Sequence, residues 1–426
     1  MIISVGERKI RMTTARSRFQ TAPWIILAAS IVCIHLFFVF LTPTGSEVRY
    51  HIQGLNDEKS HFNYVKTLAL MRVIPVQEHL VRDSGSVERG DYEYYQPPLY
   101  YALCAPLYLA FGEWGGLQAC RILSVLAALL SVVIIVLILR QMSCSGQVQI
   151  AGAMFVGLTP VSAYFFSLVS NDGLSWLFSI LLVYELLKAE KRELENRAIG
   201  WGATIRMTLY LLAGIATKAS VFLFYPVITV VIIRLLLKRR NMRFVWPFIG
   251  ILLVPLVIMA PWFARSWQLY YSHTTQSFCD GPNGQSMNFG SALSMLRFVK
   301  SSIRYFWFPM SNTYSSVVFR LLCGFGSVIL AAIGGCVALF LARARNRSTM
   351  TAFLAGLLAL NLAAYVCYNV HWGNQEGRFL YTSLPSIVFF IFAPLEEALT
   401  RINRGKFFLP SAVIITLFPY LFLALT

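Results

Sequence analysis

The chain has 426 residues, of which 57% are hydrophobic and only 13% are charged. Its apolar residues come in blocks close to the roughly 20 residues that cross a bilayer, and no large soluble core lies between the blocks. The composition therefore predicts an all-α, polytopic membrane protein and excludes a mainly soluble one.

The net charge of +17 would suggest a nucleic-acid partner in a soluble protein, so the positions of the basic residues decide its meaning. They cluster between the apolar blocks, as Lys and Arg do in cytoplasmic loops. We therefore predict that these clusters lie on the cytoplasmic side against anionic lipid headgroups, and that no nucleic acid is bound. The clusters are Arg8, Lys9, Arg11, Arg16 and Arg18; Lys188, Lys191, Arg192, Arg197 and Arg206; Lys238, Arg239, Arg240 and Arg243; Arg343, Arg345 and Arg347; and Arg401, Arg404 and Lys406.

Eleven apolar stretches are predicted to cross the membrane, with the N-terminus inside and the C-terminus outside. A shorter apolar stretch at 97–112 is predicted to be re-entrant or interfacial, because an outer Asp57 loop and an inner Arg140 leave room for one crossing, at 117–139. Residues 1–23 form a basic cytoplasmic terminus, and 24–426 form one transmembrane domain with long outer loops at 43–96 and 265–316. The spans are 24–42, 117–139, 148–170, 172–187, 207–217, 219–237, 244–264, 317–342, 350–370, 379–395 and 407–425.

Lys218 interrupts the apolar residues between the basic clusters at Arg206 and Lys238. An even number of crossings requires two short or tilted helices here, with Lys218 near their outer turn. A lysine at that position either extends its ammonium to the interface or neutralises a phosphate.

Asp57, Glu58 and His61 follow the first span and belong to a predicted helix, in which Asp57 and His61 lie one turn apart. One interpretation is a general base, Asp57, whose neighbours orient it or hold a divalent cation. The alternative is an acidic helix N-terminus that is stabilised by the helix dipole and has no catalytic role.

The segment Tyr94–Tyr101 closes the same outer loop. Pro97 and Pro98 suit the first turn of a helix, and the tyrosines suit the headgroup level of a membrane, which is a purely anchoring role. Gln96 is harder to explain as an anchor and is a candidate for substrate binding.

Polar residues at the outer ends of later spans complete the pattern. Asn171 and Asp172 are interpreted either as an ordinary helix N-cap or as residues of a functional site. Arg378 opens a span and offers a permanently charged fork for phosphate oxygens, and its alternative is an interfacial anchor or a pair with Glu376.

Five motifs in this order resemble the GT-C glycosyltransferases of the protein O-mannosyltransferase and aminoarabinose transferase type. The resemblance covers residues from about 50 to 395. The motifs are Asp57-Glu58-xx-His61, Gln96-Pro97-Pro98-Leu99-Tyr100-Tyr101, Asn171-Asp172, Thr217-Lys218 and Gln375-Glu376-Gly377-Arg378-Phe379.

The resemblance implies transfer of a sugar from a polyprenyl-phosphate donor to an acceptor outside the cytoplasm. It assigns Asp57 as the base with Glu58 as its neighbour, and Arg378 with Lys218 as ligands of the donor phosphate. Direct attack on the opposite face of the sugar would invert the anomeric centre. The implied substrate-binding residues are His61, Tyr94, Gln96, Asn171, Asp172 and Glu376.

Two other functions share these features. A transporter or flippase of lipid-linked sugars also needs many spans and a phosphate-binding arginine, but usually has internal repeats and ionisable residues at the midplane. A non-catalytic subunit of a glycosylation complex would keep the fold and lose the base. No sizeable outer domain occurs in the sequence, which leaves the acceptor open, and the expected location is a bacterial or archaeal plasma membrane.

Overall fold

The computed structural model describes residues 21–42, 54–76, 93–195, 197, 199–239, 245–271, 291–307, 317–342, 349–372 and 377–425. Within these ranges the regular secondary structure is helical and contains no strand. The predicted all-α class is therefore confirmed for the described part of the chain.

The described helices follow the predicted apolar blocks closely. Short 3-10 segments lie at Ala219–Leu223, Gly377–Ser383 and Gly405–Phe407, and a π-helical turn lies at Trp267–Tyr271. The α-helices are α1 (Thr21–Leu41), α2 (Gly54–Met71), α3 (Leu99–Gln141), α4 (Gly146–Leu158), α5 (Pro160–Phe165), α6 (Asn171–Leu194), α7 (Trp201–Thr217), α8 (Phe224–Arg239), α9 (Trp246–Ser266), α10 (Ala292–Trp307), α11 (Val317–Ala342), α12 (Thr349–Trp372), α13 (Leu384–Arg401) and α14 (Phe408–Leu425).

Among the described residues, five helical segments are long and apolar enough to cross a membrane. They are Ala22–Leu41, Leu99–Gln141, Trp246–Leu269, Met350–Asn369 and Gly377–Arg401. Shorter apolar helices occur at Gly146–Leu158, Ala219–Arg234, Gly326–Ala338 and Gly405–Tyr420. The chain is thus an integral membrane protein, whereas the count of eleven spans and their sidedness stay predictions.

Helix α3 bends at Gly112, whose φ of 71° and ψ of −162° are not helical. Residues with a Cβ rarely adopt this conformation, so the glycine permits the break. The break separates the apolar stretch 97–112 from the predicted span 117–139. Whether the first part is re-entrant stays a prediction.

The predicted single span 148–170 is divided in the structure. Thr159 has an extended backbone with ψ of 140°, and Pro160 opens α5 as a first-turn residue. A residue before proline disfavours the helical conformation, which explains the interruption. The chain then leaves α5 and runs through buried residues 166–170 to the start of α6.

The outer loop predicted at 265–316 contains a helix, α10, that the sequence prediction missed. Leu293, Met295 and Leu296 on this helix are exposed, whereas Phe298 and Trp307 are buried. This amphipathic pattern is typical of a helix that covers the body of a membrane protein and turns another face outwards.

The protein interior forms around α3, α6 and α7, which pack against one another and against α2, α4 and α9. The central apolar cluster includes Trp176 of α6, whose ring lies edge-on to Phe166 at 5.0 Å between centroids. The buried 166–170 segment is thereby fixed against α6, and it leads directly into the candidate site.

Substitution of Gly112 tests the backbone break. We expect Gly112→Ala to lower the free energy of unfolding by about 1–3 kcal/mol, because alanine is strained at this positive φ. No atom lies within 4 Å of an added Cβ, so a steric clash does not contribute. Gly146→Ala is the matched control, since a Cβ at Gly146 also meets no atom within 4 Å and its φ is ordinary. Thermal and denaturant unfolding in detergent measure both variants, and equal stabilities would contradict the proposed strain.

Candidate active site

Three predicted site residues meet in a cluster that we call the ion triad: Asp172, Lys218 and Arg378. Asp172 Oδ1 accepts a hydrogen bond from Lys218 Nζ, and Asp172 Oδ2 accepts one from Arg378 Nη1 at 3.3 Å. The carboxylate is buried, and the side chains of Lys218 and Arg378 are only 13% and 8% exposed. Residues separated by 46 and 206 positions in sequence therefore form one site.

The local backbone explains how each member reaches the ion triad. Asp172 lies in the first turn of α6, where its amide donates to Ser170 Oγ at 3.2 Å. Lys218 follows the last residue of α7 in an extended conformation, with φ of −156° and ψ of 134°. This chain reversal at Lys218 matches the interruption that the sequence predicts.

Arg378 belongs to the 3-10 segment that precedes α13, and its position depends on Gly377. A Cβ on Gly377 would lie 2.5 Å from the Cα of Phe306 in α10, so only glycine allows this close approach. The backbone contact with α10 thus holds the start of the segment while the guanidinium extends to Asp172.

Aromatic rings surround the two cations. The Arg378 guanidinium lies 4.8 Å from the ring centroid of Phe165 and 5.5 Å from that of Phe379, and Lys218 Nζ lies 5.8 Å from Phe379. Cation–π contacts of this kind stabilise a partly desolvated positive charge. Among the side chains that the structure describes here, two cations surround one carboxylate, and this excess of positive charge suits an incoming anion.

Gln96 joins the outer loop to the helices of the ion triad. Asn171 Nδ2 donates to Gln96 Oε1 at 3.2 Å and to the Thr217 carbonyl at 3.0 Å. Gln96 Nε2 donates to Glu93 Oε2 at 2.9 Å and to Tyr95 Oη at 3.0 Å. Sequence reasoning missed buried Glu93, although an acidic residue beside this aromatic segment was a visible signal.

His61 and Tyr94 lie in the same region, on the contact between α2 and the 93–101 segment. The His61 ring shares a hydrogen bond with Tyr101 Oη at 2.7 Å and stacks on its ring at 5.8 Å. Tyr94 Oη lies 3.3 Å from Thr67 Oγ1 of α2. Tyr100 and Tyr101 are fully buried in the protein, so the alternative of a purely anchoring contact with lipid headgroups is wrong for these two.

Glu58 is fully engaged by Arg121, a residue that sequence reasoning missed. The guanidinium of Arg121 donates from Nε and Nη2 to the two Glu58 oxygens at 2.7 and 2.6 Å. Its third nitrogen donates to the carbonyls of Val39 and Thr42 at 2.7 and 3.0 Å. Glu58 Oε1 also accepts from the Val169 amide at 2.8 Å. This saturated, buried pair fixes α2 against α1, α3 and the 166–170 segment.

A signal for Arg121 was present, since an arginine inside the predicted span 117–139 must find a partner in the protein interior. The pair also places Asp57, one residue before Glu58 in α2, near the residues that lead to Asp172. The side chain of Asp57 and the whole of Glu376 lie outside the described parts of the structure.

The structure gives no candidate metal site among the side chains that it describes, where no group of three or more His, Cys, Asp and Glu residues is close enough to share an ion. Asp57 and Glu376 fall outside that search. The divalent cation therefore stays a prediction.

The Glu58–Arg121 pair is open to a double-mutant test. We expect Arg121→Met to cost about 3–5 kcal/mol of unfolding free energy, because it leaves a buried carboxylate without its cation. The double variant Glu58→Met/Arg121→Met should recover most of that loss, since it removes both charges. Unfolding of the wild type, Glu58→Met, Arg121→Met and the double variant in detergent measures the coupling. A double variant as unstable as the sum of the two single variants would contradict a structural pair.

A family model of dolichyl-phosphate-mannose-protein mannosyltransferases matches residues 95–264 of the chain. The matched segment contains Gln96, Asn171, Asp172 and Lys218, whereas Asp57 and Arg378 lie outside it. No curated protein sequence matches the chain significantly.

Two solved membrane proteins share the fold at low sequence identity. ArnT from Cupriavidus metallidurans, bound to undecaprenyl phosphate, aligns with a TM-score of 0.51 and 15% identity over 88% of this chain and 60% of its own. The Archaeoglobus fulgidus oligosaccharyltransferase AglB, in complex with an inhibitory peptide and a dolichol-phosphate, aligns with a TM-score of 0.53 and 13% identity over 93% of this chain and 55% of its own.

The chain thus spans about three fifths of ArnT and just over half of AglB. The family model thus matches less than half of the chain, and the solved structures show that the chain shares the fold of ArnT and AglB.

Proposed function

We propose that the chain is a membrane glycosyltransferase that moves a sugar from a polyprenyl-phosphate-linked donor to an acceptor on the non-cytoplasmic side. The observation that carries this proposal is the ion triad, which brings Lys218 and Arg378 together around Asp172. The family match and the fold shared with ArnT and AglB support it.

Lys218 and Arg378 are proposed to bind the donor phosphate. An ammonium and a guanidinium can both donate to phosphate oxygens, and a partly buried site strengthens such charge-assisted bonds. Asp172 would hold the two cations in place and compete with the phosphate for them. ArnT and AglB have been solved with undecaprenyl phosphate and a dolichol-phosphate, ligands with the same phosphate headgroup.

Asp57 is proposed as the general base. Glu58 fixes the first turn of α2 to the Val169 amide, which is three residues before Asp172, so the backbone of Asp57 lies at the same end of the protein as the ion triad. The acceptor hydroxyl oxygen would attack the anomeric carbon while the bond from that carbon to the phosphate oxygen breaks. Asp57 would take the hydroxyl proton, and the two cations would stabilise the phosphate that leaves.

This single displacement is proposed to invert the anomeric centre, by analogy with inverting glycosidases. Glu58 is then a positioning residue rather than a catalytic one, because its oxygens are occupied by Arg121 and Val169. Gln96 and Asn171 would orient the sugar or the acceptor from the neighbouring network.

Loss of the base should abolish transfer. We expect Asp57→Asn to lower the rate of sugar release by about 10²- to 10⁴-fold, since it removes the proton acceptor and keeps the size of the side chain. The assay incubates purified protein with a panel of radiolabelled polyprenyl-phosphate sugars and measures label that leaves the lipid. Glu397→Gln is the control, because Glu397 pairs with Arg401 near the end of α13 remote from the ion triad.

A correctly folded Asp57→Asn protein that transfers sugar at the wild-type rate would refute the base. Movement of intact donor between the leaflets of liposomes, without release of label, would instead identify a flippase.

Loss of a phosphate ligand should weaken carrier binding. We expect Arg378→Gln to reduce the affinity for undecaprenyl phosphate by about 10- to 100-fold, which corresponds to one charge-assisted hydrogen bond. Arg378→Lys should retain part of the affinity because it keeps the charge and loses the fork. Direct binding of radiolabelled carrier measures the effect, and Arg401→Gln is the matched arginine control. An unchanged affinity in Arg378→Gln would remove the arginine from the phosphate site.

A further inference from the structure

A cavity of about 380 Å³ is lined by none of the three residues of the ion triad. Its walls come from α6, α8, α9 and α12, together with residues that precede α7, and include Leu186, Val227, Phe248 and Leu357. Glu190 at its rim is 18 residues beyond Asp172 on the same helix, which corresponds to about 27 Å along the axis. The cavity is therefore separate from the candidate active site.

The chemistry of the cavity changes from its walls to its rim. The walls are apolar, and Val230, which is 63% exposed, shows that the cavity opens to the outside of the helix bundle. The lining also includes Arg234, which pairs with Glu190 at 3.0 Å, and Arg197, which pairs with Glu195 at 3.6 Å and whose side chain is 76% exposed. An amphiphile with an apolar chain and an anionic head matches this arrangement.

The surrounding charge favours an anionic headgroup over a neutral one. In sequence, residues 234–243 contain five basic residues and no acidic residue, whereas Glu190 and Glu195 beside the cavity are paired with Arg234 and Arg197. Basic segments at a membrane surface attract anionic lipids with about 1 kcal/mol per Lys or Arg. The volume falls within the range of about 300–1,000 Å³ that is typical of small-molecule sites.

We propose that this cavity binds one acyl chain of an anionic phospholipid from the surrounding bilayer, with the lipid phosphate at Arg197 and Arg234. Three of the helices that line the cavity also adjoin the residues of the ion triad in sequence. Helix α6 begins at Asn171, α8 follows the 3-10 segment after Lys218, and α12 precedes the segment that contains Arg378. A bound acyl chain thus braces three helices that lead to the ion triad, and it stabilises the fold by mass action whether or not the protein transfers sugar.

Gly356 provides a sharp test, because it lines the cavity and a Cβ there meets no atom within 4 Å. A leucine at this position is expected to extend into the cavity and to take the space of the acyl chain. Gly335→Leu on α11 is the matched control, since a Cβ at Gly335 also meets no atom within 4 Å and this residue is outside the cavity lining.

The experiment titrates the delipidated full chain in detergent with phosphatidylglycerol or phosphatidylcholine, and measures the unfolding temperature and the lipid retained in native mass spectrometry. We expect phosphatidylglycerol to be retained and to raise the unfolding temperature of the wild type and of Gly335→Leu, with a weaker response to phosphatidylcholine. Gly356→Leu should bind phosphatidylglycerol at least about tenfold more weakly, because its side chain fills the cavity.

Arg197→Gln tests the headgroup contact without filling the cavity. We expect about fivefold weaker binding of phosphatidylglycerol and unchanged binding of phosphatidylcholine, because one cation is lost. Wild-type binding of phosphatidylglycerol by folded Gly356→Leu would overturn the proposal. Weaker binding of undecaprenyl phosphate by Gly356→Leu, with phosphatidylglycerol unaffected, would also overturn it and assign the cavity to the tail of the carrier.

Discussion

Two cations from distant segments converge on the buried carboxylate of Asp172 inside the helix bundle. A buried charge without partners costs several kcal/mol, so the positions of α6, the Lys218 turn and the Arg378 segment are interdependent. Gly377 contributes to the same constraint, since its close contact with Phe306 sets where the Arg378 segment begins. The ion triad is thus both a packing requirement and the most concentrated charge of the candidate site.

The two buried charge clusters, the Glu58–Arg121 pair and the ion triad, differ in whether their cations have hydrogen-bond donors left for a substrate. Arg121 is 0% exposed, and its nitrogens are all engaged by Glu58 and by carbonyls at the end of α1. Lys218 is partly exposed and donates one of its three protons to Asp172 among the described residues. A saturated pair has no donor left for a substrate, whereas an ammonium with further donors can take a phosphate oxygen. This contrast is why Glu58 is assigned to positioning and Lys218 to binding.

Apolar block length and proline position were enough to predict most of the helices. The predicted span 317–342 coincides with α11, and the break at Lys218 lies where the sequence places it. Arg121 was missed because the search for site residues considered only the ends of the spans. Its partner Glu58 is 63 residues away in sequence, so no local motif indicates the pair. Helix α10 was missed because its amphipathic pattern lies within a long loop. The burial of Tyr100 and Tyr101 was missed because composition cannot distinguish a lipid-facing ring from a buried one. In the structure Tyr101 is bonded to His61, and Tyr100 is bonded to Ser124.

The two ends of α6 differ in the charged residues around them, and this difference bears on the predicted sidedness of the ion triad. Its first turn holds Asp172 among cations and aromatic rings, and its last turns hold Glu185, which pairs with Lys188 and Arg206, and Glu190, which pairs with Arg234. Basic residues beside a span mark the cytoplasmic side, so the ion triad would face the other leaflet. A lipid-linked donor and an anionic phospholipid would then contact the same helices from opposite leaflets. Occupation of one site would then change how firmly these helices are held, and therefore how precisely Lys218 and Arg378 meet a phosphate at the other.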